Sequence, residues 1–192
     1  MKIEVKELSP ELWPDLERLF GPEGACAGCW CMYWRLTGKE WNAIKGEGAR
    51  RRFKELVTTG KAHGLLAYCD GEPVGWAAFD ARPDFARLNR SPALRCQDAD
   101  RVWSIPCFFV KRGYRGKGVA RRLLEHAVRT LRKRGAAIVE GYPVKPREDG
   151  RPTPAAFAWT GLLPMFERAE FTVVAAKERG MQRVRKQLRD VT

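Results

Sequence analysis

The chain has 192 residues, of which 44% are hydrophobic and 31% are charged, and its formal net charge is +13. This length and composition predict one compact α/β domain with a hydrophobic core, covering residues 1–192. No run of 18 apolar residues occurs and the first residues alternate as a strand does, so we expect neither a membrane span nor a signal peptide, and a cytoplasmic location. The six cysteines are too sparse for a secreted disulfide scaffold.

The first half of the chain shows the patterns of a strand, two helices and a hairpin. In chain order these are a strand at 3–8, a helix that begins with Ser9 as N-cap and Pro10 as first residue, a helix at 42–59, and strands at 63–68 and 74–79. The last two strands flank Asp70-Gly71, which is a strong hairpin signal. Residues 21–38 are rich in glycine, cysteine and aromatic residues and fit no simple element.

The second half alternates strands and helices. Its elements are a strand at 101–110, a helix at 119–134, a strand at 136–142, a helix around 162–169, and strands near 171–176 and 181–184. Residues 82–100 are polar with room for a short helix, and residues 143–154 form a loop rich in proline and charge. This order predicts a layered α/β domain without internal repeats or linkers.

Residues 110–124 carry the clearest functional motif, because a glycine-rich turn joins a predicted strand to a predicted helix. Gly116 and Gly118 have no Cβ atoms, so several backbone N–H groups can approach one bound group. These groups lie at a helix N-terminus, where the dipole favours negative charge, and Arg115 and Lys117 add positive charge. The turn therefore predicts a diphosphate cradle. It matches neither a nucleotide-binding P-loop nor the Gly-x-Gly-x-x-Gly dinucleotide fingerprint.

Positive charge is concentrated around this motif. Residues 111–134 contain ten Lys or Arg and one acid, Glu125, and a second basic run covers residues 179–189. Most charge runs are solvated helix faces. The alternative is a positive field that attracts a polyanion, either nucleic acid or a phosphorylated cofactor, and charge alone does not separate the two.

The motif resembles the acyl-CoA-binding motif of the GNAT superfamily of N-acetyltransferases, Arg/Gln-x-x-Gly-x-Gly/Ala, through Arg115, Gly118 and Ala120. The order of predicted elements is also similar to the family fold over nearly the whole chain. The resemblance implies a mixed, mostly antiparallel sheet with a splayed central strand pair flanked by helices. It implies acetyl-CoA as co-substrate, with its pantetheine arm paired to the backbone of residues 108–110. The expected cofactor-binding residues are Phe108, Phe109, Val110, Arg115, Gly116, Lys117, Gly118, Val119, Ala120 and Phe166.

Two residues depart from the family pattern. Residues 165–171 resemble the closing helix and strand of the family, usually Phe-Tyr-x-x-x-Gly-Phe. Phe166 replaces a tyrosine that in many members can protonate the leaving thiolate, and Glu170 replaces the usual glycine. The acid must therefore come from elsewhere.

The reaction also needs a base for the acceptor amine, and a backbone N–H of the splayed strand to polarise the thioester carbonyl. In relatives the base is often a glutamate early on the fourth strand, and the matching residue is Ser104, which is either an ordinary strand serine or a residue that orders a water. Glu140 and Tyr142 lie on the next strand, near where the sheet should part. They are the candidate base and acid, or else a paired carboxylate and a half-buried aromatic.

The cysteine-rich residues 26–31 suggest zinc, but a closed site needs four ligands and only three cysteines cluster there. We therefore expect no metal, with zinc and a redox role as disfavoured alternatives. The favoured interpretation is a loop beside the acceptor pocket, in which Trp30, Tyr33 and Trp34 form an aromatic wall or belong to the core.

Covalent catalysis by Cys107 is disfavoured, because neither His63 nor His126 lies at a recognisable partner position.

The predicted function is transfer of an acetyl group from acetyl-CoA to an amine of a small molecule or a protein, of which the small molecule is favoured. A positive surface suits an acidic or neutral acceptor better than a polycationic one. A CoA-binding sensor without catalysis and a basic nucleic-acid-binding module are the alternatives. Nucleic acid is disfavoured because the basic helix has an apolar stripe and no reader motif occurs. Dimers are frequent in this family, although the sequence does not determine the oligomeric state.

Overall fold

The computed structural model describes residues 1–178 and 180–188. Its strands are β1 (Ile3–Glu7), β2 (His63–Cys69), β3 (Glu72–Ala81), β4 (Val102–Val110), β5 (Ile138–Gly141), β6 (Thr172–Ala175) and β7 (Arg183–Gln187). Its α-helices are α1 (Trp13–Phe20), α2 (Gly38–Ile44), α3 (Glu47–Thr58), α4 (Ala86–Arg90), α5 (Val119–Lys133) and α6 (Leu163–Arg168). Among these helices, none combines the length and the apolar character that a membrane crossing needs.

The strands form one seven-stranded sheet in the order β1-β2-β3-β4-β5-β7-β6. The central pair, β4 and β5, is parallel, and the other neighbours are antiparallel. The predicted mixed α/β fold is therefore confirmed. β4 and β5 pair from Val102–Ile138 to Ile105–Gly141, after which β5 ends while β4 continues to Val110. A gap consequently opens beside the second half of β4.

Alternation along the central strands divides the core between the two faces of the sheet. On one face, Ala77 and Phe79 of β3 pack with the apolar stripe of α5, including Leu123 and Leu131. On the other face, Trp76 of β3 packs with residues of α1 and α3. The stripe on α5 recurs every three to four residues, as the sequence pattern predicts.

The helix predicted at residues 42–59 is wrong as a single element, because the structure divides it into α2 and α3. Gly46 separates them with a φ of +87°, and its N–H group donates to the Gly28 carbonyl at 2.8 Å. α2 begins earlier than predicted, since Thr37 and Glu40 form a reciprocal capping box at its N-terminus.

The last two strands lie in the sheet in reverse of their chain order. β7 lies between β5 and β6 and begins at Arg183, two residues later than predicted for the last strand. The second basic run of the sequence includes Arg179 and Arg189, which lie outside the described residues.

Candidate functional site

The turn between β4 and α5 contains two glycines in the left-handed conformation. Gly116 and Gly118 have φ angles of +74° and +83°, in the left-handed region that favours glycine. An added Cβ at either position meets no described atom within 4 Å. α5 has 15 residues with no acid in its first turn, so the positive end of its dipole is not neutralised there. The turn can therefore hold an anion on backbone N–H groups.

The side chains around this turn differ in their surroundings. Arg115 and Lys117 are exposed, and Arg115 Nε donates to the Val110 carbonyl at 2.9 Å, so this side chain folds back over the end of β4. Ala120 is half-buried. Val119 lies in the core instead, where its Cγ1 would be 2.5 Å from a Cβ added at Gly75. Val119 thus anchors the start of α5 to the sheet.

The edge of β4 beside the gap binds another part of the chain. The Phe108 N–H donates to the Trp159 carbonyl at 2.7 Å. The Phe109 side chain lies on the opposite face of the sheet, where its ring centroid is 5.8 Å from that of Phe20. Phe108 and Phe166 pack edge to face, with centroids 6.1 Å apart.

Phe166 is fully buried at the end of β5. A Cβ added at Gly141 would lie 2.2 Å from its Cε1 atom, and its ring also packs edge to face on Phe171 at 5.1 Å. The ring therefore fills the core beneath the gap, and a phenyl group has no proton to transfer.

The structure brings Ser104, Glu140 and Tyr142 together in one buried cluster. Ser104 and Glu140 are register partners on β4 and β5. Ser104 Oγ lies 2.7 Å from Tyr142 Oη, and the Tyr142 hydroxyl donates to Glu140 Oε1 at 2.8 Å. Burial, followed by the negative charge of Glu140, raises the pKa of Tyr142 well above its ordinary value. Tyr142 therefore retains its proton and donates it in a hydrogen bond.

Two arginines that the sequence analysis did not single out complete this cluster. Arg82 is fully buried, and its Nη1 donates to Glu140 Oε1 at 2.6 Å and also to the Tyr142 hydroxyl. Arg185 Nε donates to Glu140 Oε2 at 2.6 Å, and its two Nη atoms bind Asp98 at 2.7 and 2.8 Å. These hydrogen bonds from Arg185 hold the pKa of Asp98 well below its ordinary value. The cluster braces the point where β4 and β5 part.

Aromatic residues lie beside the same gap. Trp34 Nε1 donates to the Pro106 carbonyl of β4 at 3.0 Å. The Trp159 ring stacks on Trp34 at 5.3 Å and meets the Tyr33 ring edge to face at 5.3 Å. Trp30 is not part of this group, because it packs in the other core against Trp13 at 6.2 Å. Only two of the three predicted wall residues therefore lie together.

The cysteines are all free thiols. Among the residues that the structure describes, no group of three or more His, Cys, Asp or Glu side chains could hold a metal ion.

Burial raises the pKa of Cys29 to about 11. A hydrogen bond with Cys31, followed by burial, raises the pKa of Cys107 well above its ordinary value. Because the thiolate is the nucleophile, Cys107 is poorly suited to covalent catalysis.

A cleft of about 400 Å³ lies at the other end of β4, near Trp103. His63 Nδ1 lies 2.5 Å from Asp80 Oδ1, and Arg35 binds the other oxygen of this carboxylate. His63 is the first residue of β2. The cleft is separated from the glycine turn by the length of β4.

Comparisons with known proteins agree with this arrangement. Residues 30–145 match the model of the acetyltransferase (GNAT) family. An N-acetyltransferase from Staphylococcus aureus Mu50 superposes with a TM-score of 0.57 and 11% identity, covering 98% of this chain and 100% of that chain. The putative acetyltransferase YncA from Salmonella typhimurium, solved with acetyl-CoA, gives 0.57 and 16% identity over 98% of this chain and 95% of that chain.

The PaiA N-acetyltransferase from Thermoplasma acidophilum, in complex with coenzyme A, gives a TM-score of 0.54 and 15% identity, covering 97% of this chain and 99% of that chain. At these identities the similarity concerns the fold. None of the curated proteins matches the sequence significantly.

Proposed function

Because the chain belongs to the GNAT family of acetyltransferases, we propose that it transfers an acetyl group from acetyl-CoA to an amine. The observation that carries this proposal is the open N-terminus of α5, which has no acid in its first turn and follows two left-handed glycines. Such a terminus suits the diphosphate of coenzyme A. We also propose that residues 1–192 form one domain.

The surrounding residues fit the same cofactor. Backbone N–H groups of residues 116–120 would bind the diphosphate, and the exposed Arg115 and Lys117 would add positive charge beside it. The arm of the cofactor would then follow the edge of residues 108–110, and a backbone N–H there would polarise the thioester carbonyl. The neutral amine attacks that carbonyl carbon and its nitrogen loses a proton to a base, the C–S bond breaks, and the thiolate takes up a proton.

Ser104, Glu140 and Tyr142 remain predicted candidates for the base and the acid. Their burial favours the structural alternative, since both oxygens of Glu140 accept from guanidinium groups and Tyr142 holds its proton more tightly than an exposed phenol. On this basis we propose that the cluster positions β4 and β5, and that the proton transfers use groups closer to the gap.

The acceptor in this proposal is a small molecule that binds beside the gap next to the half-buried Tyr33, because Trp34 is buried in the core. The net charge of +13 favours an acidic or neutral acceptor. A cytoplasmic location stays a prediction from the sequence, and a homodimer stays only a possibility that the resemblance to the family suggests.

A CoA-binding sensor without catalysis is the second candidate. The observation that favours it is Phe166, a buried phenyl group where many family members have a tyrosine. Nucleic-acid binding has less support, because the apolar stripe of α5 is buried against the sheet.

Two measurements test these functions. We expect acetyl-CoA to raise the melting temperature of the protein and duplex DNA to leave it unchanged. Release of free coenzyme A thiol with a panel of amines then identifies an enzyme. Binding without thiol release for any amine would favour the sensor, and stabilisation by DNA alone would contradict the proposed function.

A further inference from the structure

A segment of the chain itself, which we call the strap (residues 159–162), occupies the gap beside β4. On one side the Trp159 carbonyl accepts the Phe108 N–H at 2.7 Å. On the other side the Val144 N–H donates to the Gly161 carbonyl at 3.0 Å. The N–H of Leu163, which directly follows the strap, donates to the Val144 carbonyl at 2.9 Å. The strap therefore links β4 to the segment around Val144 across the gap that opens where β5 ends.

Side-chain packing holds the strap in this position. The Trp159 ring stacks on Trp34 with an interplanar angle of 30° and meets Tyr33 at 90°. Trp34 is itself fixed by its hydrogen bond to the Pro106 carbonyl. Aromatic pairs of this kind each contribute about a two- to tenfold factor to an equilibrium constant. Trp159 thus supplies much of the attachment of the strap to the rest of the site.

One buried polar group of the strap opposes this position. Thr160 is only 1% exposed, yet its hydroxyl has no hydrogen-bond partner in the part of the chain that the structure describes. A buried hydroxyl without a partner destabilises the arrangement that contains it. The preceding residues 145–158 form no helix or strand, and Phe157 is 68% exposed. Release of the strap would therefore break no helix or strand on its N-terminal side.

The proposed cofactor needs the edge that the strap covers. The glycine turn follows directly after β4, so an arm that leaves the cradle toward the middle of the sheet must run back along β4. The other edge of β4 is paired with β3 from Val110 to Trp103. The amide groups of the pantetheine arm are suited to a strand edge, as in peptides that add a strand to a sheet. The arm and the strap therefore require the same Phe108 N–H.

We propose that the strap is an internal competitor of acetyl-CoA, and that acyl transfer requires displacement of the Trp159 carbonyl from Phe108. This inference rests on the proposed function. Trp159 then sets the cofactor affinity through its stacking on Trp34 and Tyr33, because these contacts are lost when the strap leaves.

Hydrogen exchange of the full chain tests the displacement. When acetyl-CoA is added, we expect exchange to slow at residues 115–120 and to become faster at residues 158–163. Ligand binding usually protects the backbone, so faster exchange at the strap is a specific signature of its release. Slower or unchanged exchange at residues 158–163, together with protection of residues 115–120, would overturn the proposal.

Substitution of Trp159 tests the competition. In Trp159→Ala we expect acetyl-CoA to bind about four- to hundredfold more tightly by calorimetry, because the strap loses two aromatic contacts that each contribute about two- to tenfold. Trp159→Phe keeps an aromatic ring and should fall between this variant and the wild type. Phe157→Ala is the matched control, since this nearby ring is exposed, and its affinity should equal that of the wild type. Equal or weaker binding by Trp159→Ala would contradict the competition.

The two proposals fail in different ways. If neither the wild type nor Trp159→Ala binds acetyl-CoA, the proposed function is wrong and the competition fails with it. If the wild type binds while the strap keeps its protection, only the competition is wrong. Should Trp159→Ala not fold, the exchange experiment on the wild type still decides.

Discussion

Gly118 is the residue at which the cofactor proposal is most directly testable. Its φ of +83° favours glycine, and a Cβ added there meets no described atom within 4 Å. In Gly118→Glu a carboxylate would stand at the N-terminus of α5 and compete with the diphosphate for the same N–H groups. We expect acetyl-CoA binding to be lost, as measured by calorimetry.

Gly150→Glu is the matched control for this variant. Gly150 also has a positive φ, +70°, and open space around an added Cβ, so the same charge and a similar backbone strain are introduced in a different loop. Its affinity for acetyl-CoA should be that of the wild type. Unchanged affinity in Gly118→Glu would refute the cradle, whereas equal losses in both variants would indicate a general effect of strain.

The backbone conformation at Glu170 explains why this position usually carries glycine in the family. Its φ is +62°, which is unfavourable for a residue with a Cβ atom. Its carboxylate binds Lys186 Nζ at 2.6 Å, but the Glu170 side chain is 86% exposed, so this ion pair adds little stability. We expect Glu170→Gly to raise the melting temperature by a few degrees. Glu170→Ala loses the ion pair but keeps the strain and should not raise it. A rise in Glu170→Ala, or none in Glu170→Gly, would contradict this assignment.

At the scale of elements, the buried cluster around Glu140 connects β4, β5 and β7. Replacing Glu140 with Gln would remove the negative charge that binds the fully buried guanidinium of Arg82. We expect a loss of about 3–5 kcal/mol in the free energy of unfolding, measured by urea denaturation. Asp149→Asn is the control, because Asp149 pairs with Arg147 and Arg151 at the surface, and it should leave stability unchanged. A change below about 0.5 kcal/mol in Glu140→Gln would show that the cluster does not brace the sheet.

Local patterns were sufficient to predict most elements and the glycine turn, since alternation, capping and positive φ are properties of neighbouring residues. The interruption between α2 and α3 was not predictable, because Gly46 adopts its conformation against Gly28, in a different segment. Arg185 was missed for a related reason. It faces Glu140 only because β7 pairs with β5, and register between distant strands has no local signature.

The strap illustrates the same limit at the candidate site. Residues 143–154 were correctly expected to be a loop rich in proline and charge, but nothing in residues 159–162 indicates that they return to β4. The resemblance to the family predicted a ligand on this edge. The contact of Phe108 with Trp159 depends on the packing of three segments that are far apart in sequence.

At the scale of the whole molecule, the six thiols report on how completely the chain is folded. Cys26 is exposed, Cys31 and Cys69 are buried, and the others are half-buried. Burial raises the pKa of Cys29 to about 11, so almost none of it is thiolate near neutral pH. We expect one fast-reacting thiol in the native protein with a chromogenic disulfide reagent, and six after unfolding in urea.

Cys26→Ser should remove the fast reaction and leave the melting temperature unchanged, because this side chain is exposed. Several fast thiols in the native protein would show that residues 26–31 open readily, contrary to the packing of Cys31 against Trp76.

The position of β7 has a consequence for how copies of this chain can combine. Among the described residues, β6 pairs only with β7, and β7 pairs with β5 through four register pairs. β6 is therefore attached to the sheet only through β7. If β7 separates from β5, both strands leave together and the backbone of β5 becomes an open edge. The same strands of a second molecule match that edge in register, with its Arg185 opposite Glu140. Concentrated chains that refold together can therefore exchange these strands, and in the resulting swapped dimer each buried carboxylate would bind a guanidinium of the other molecule.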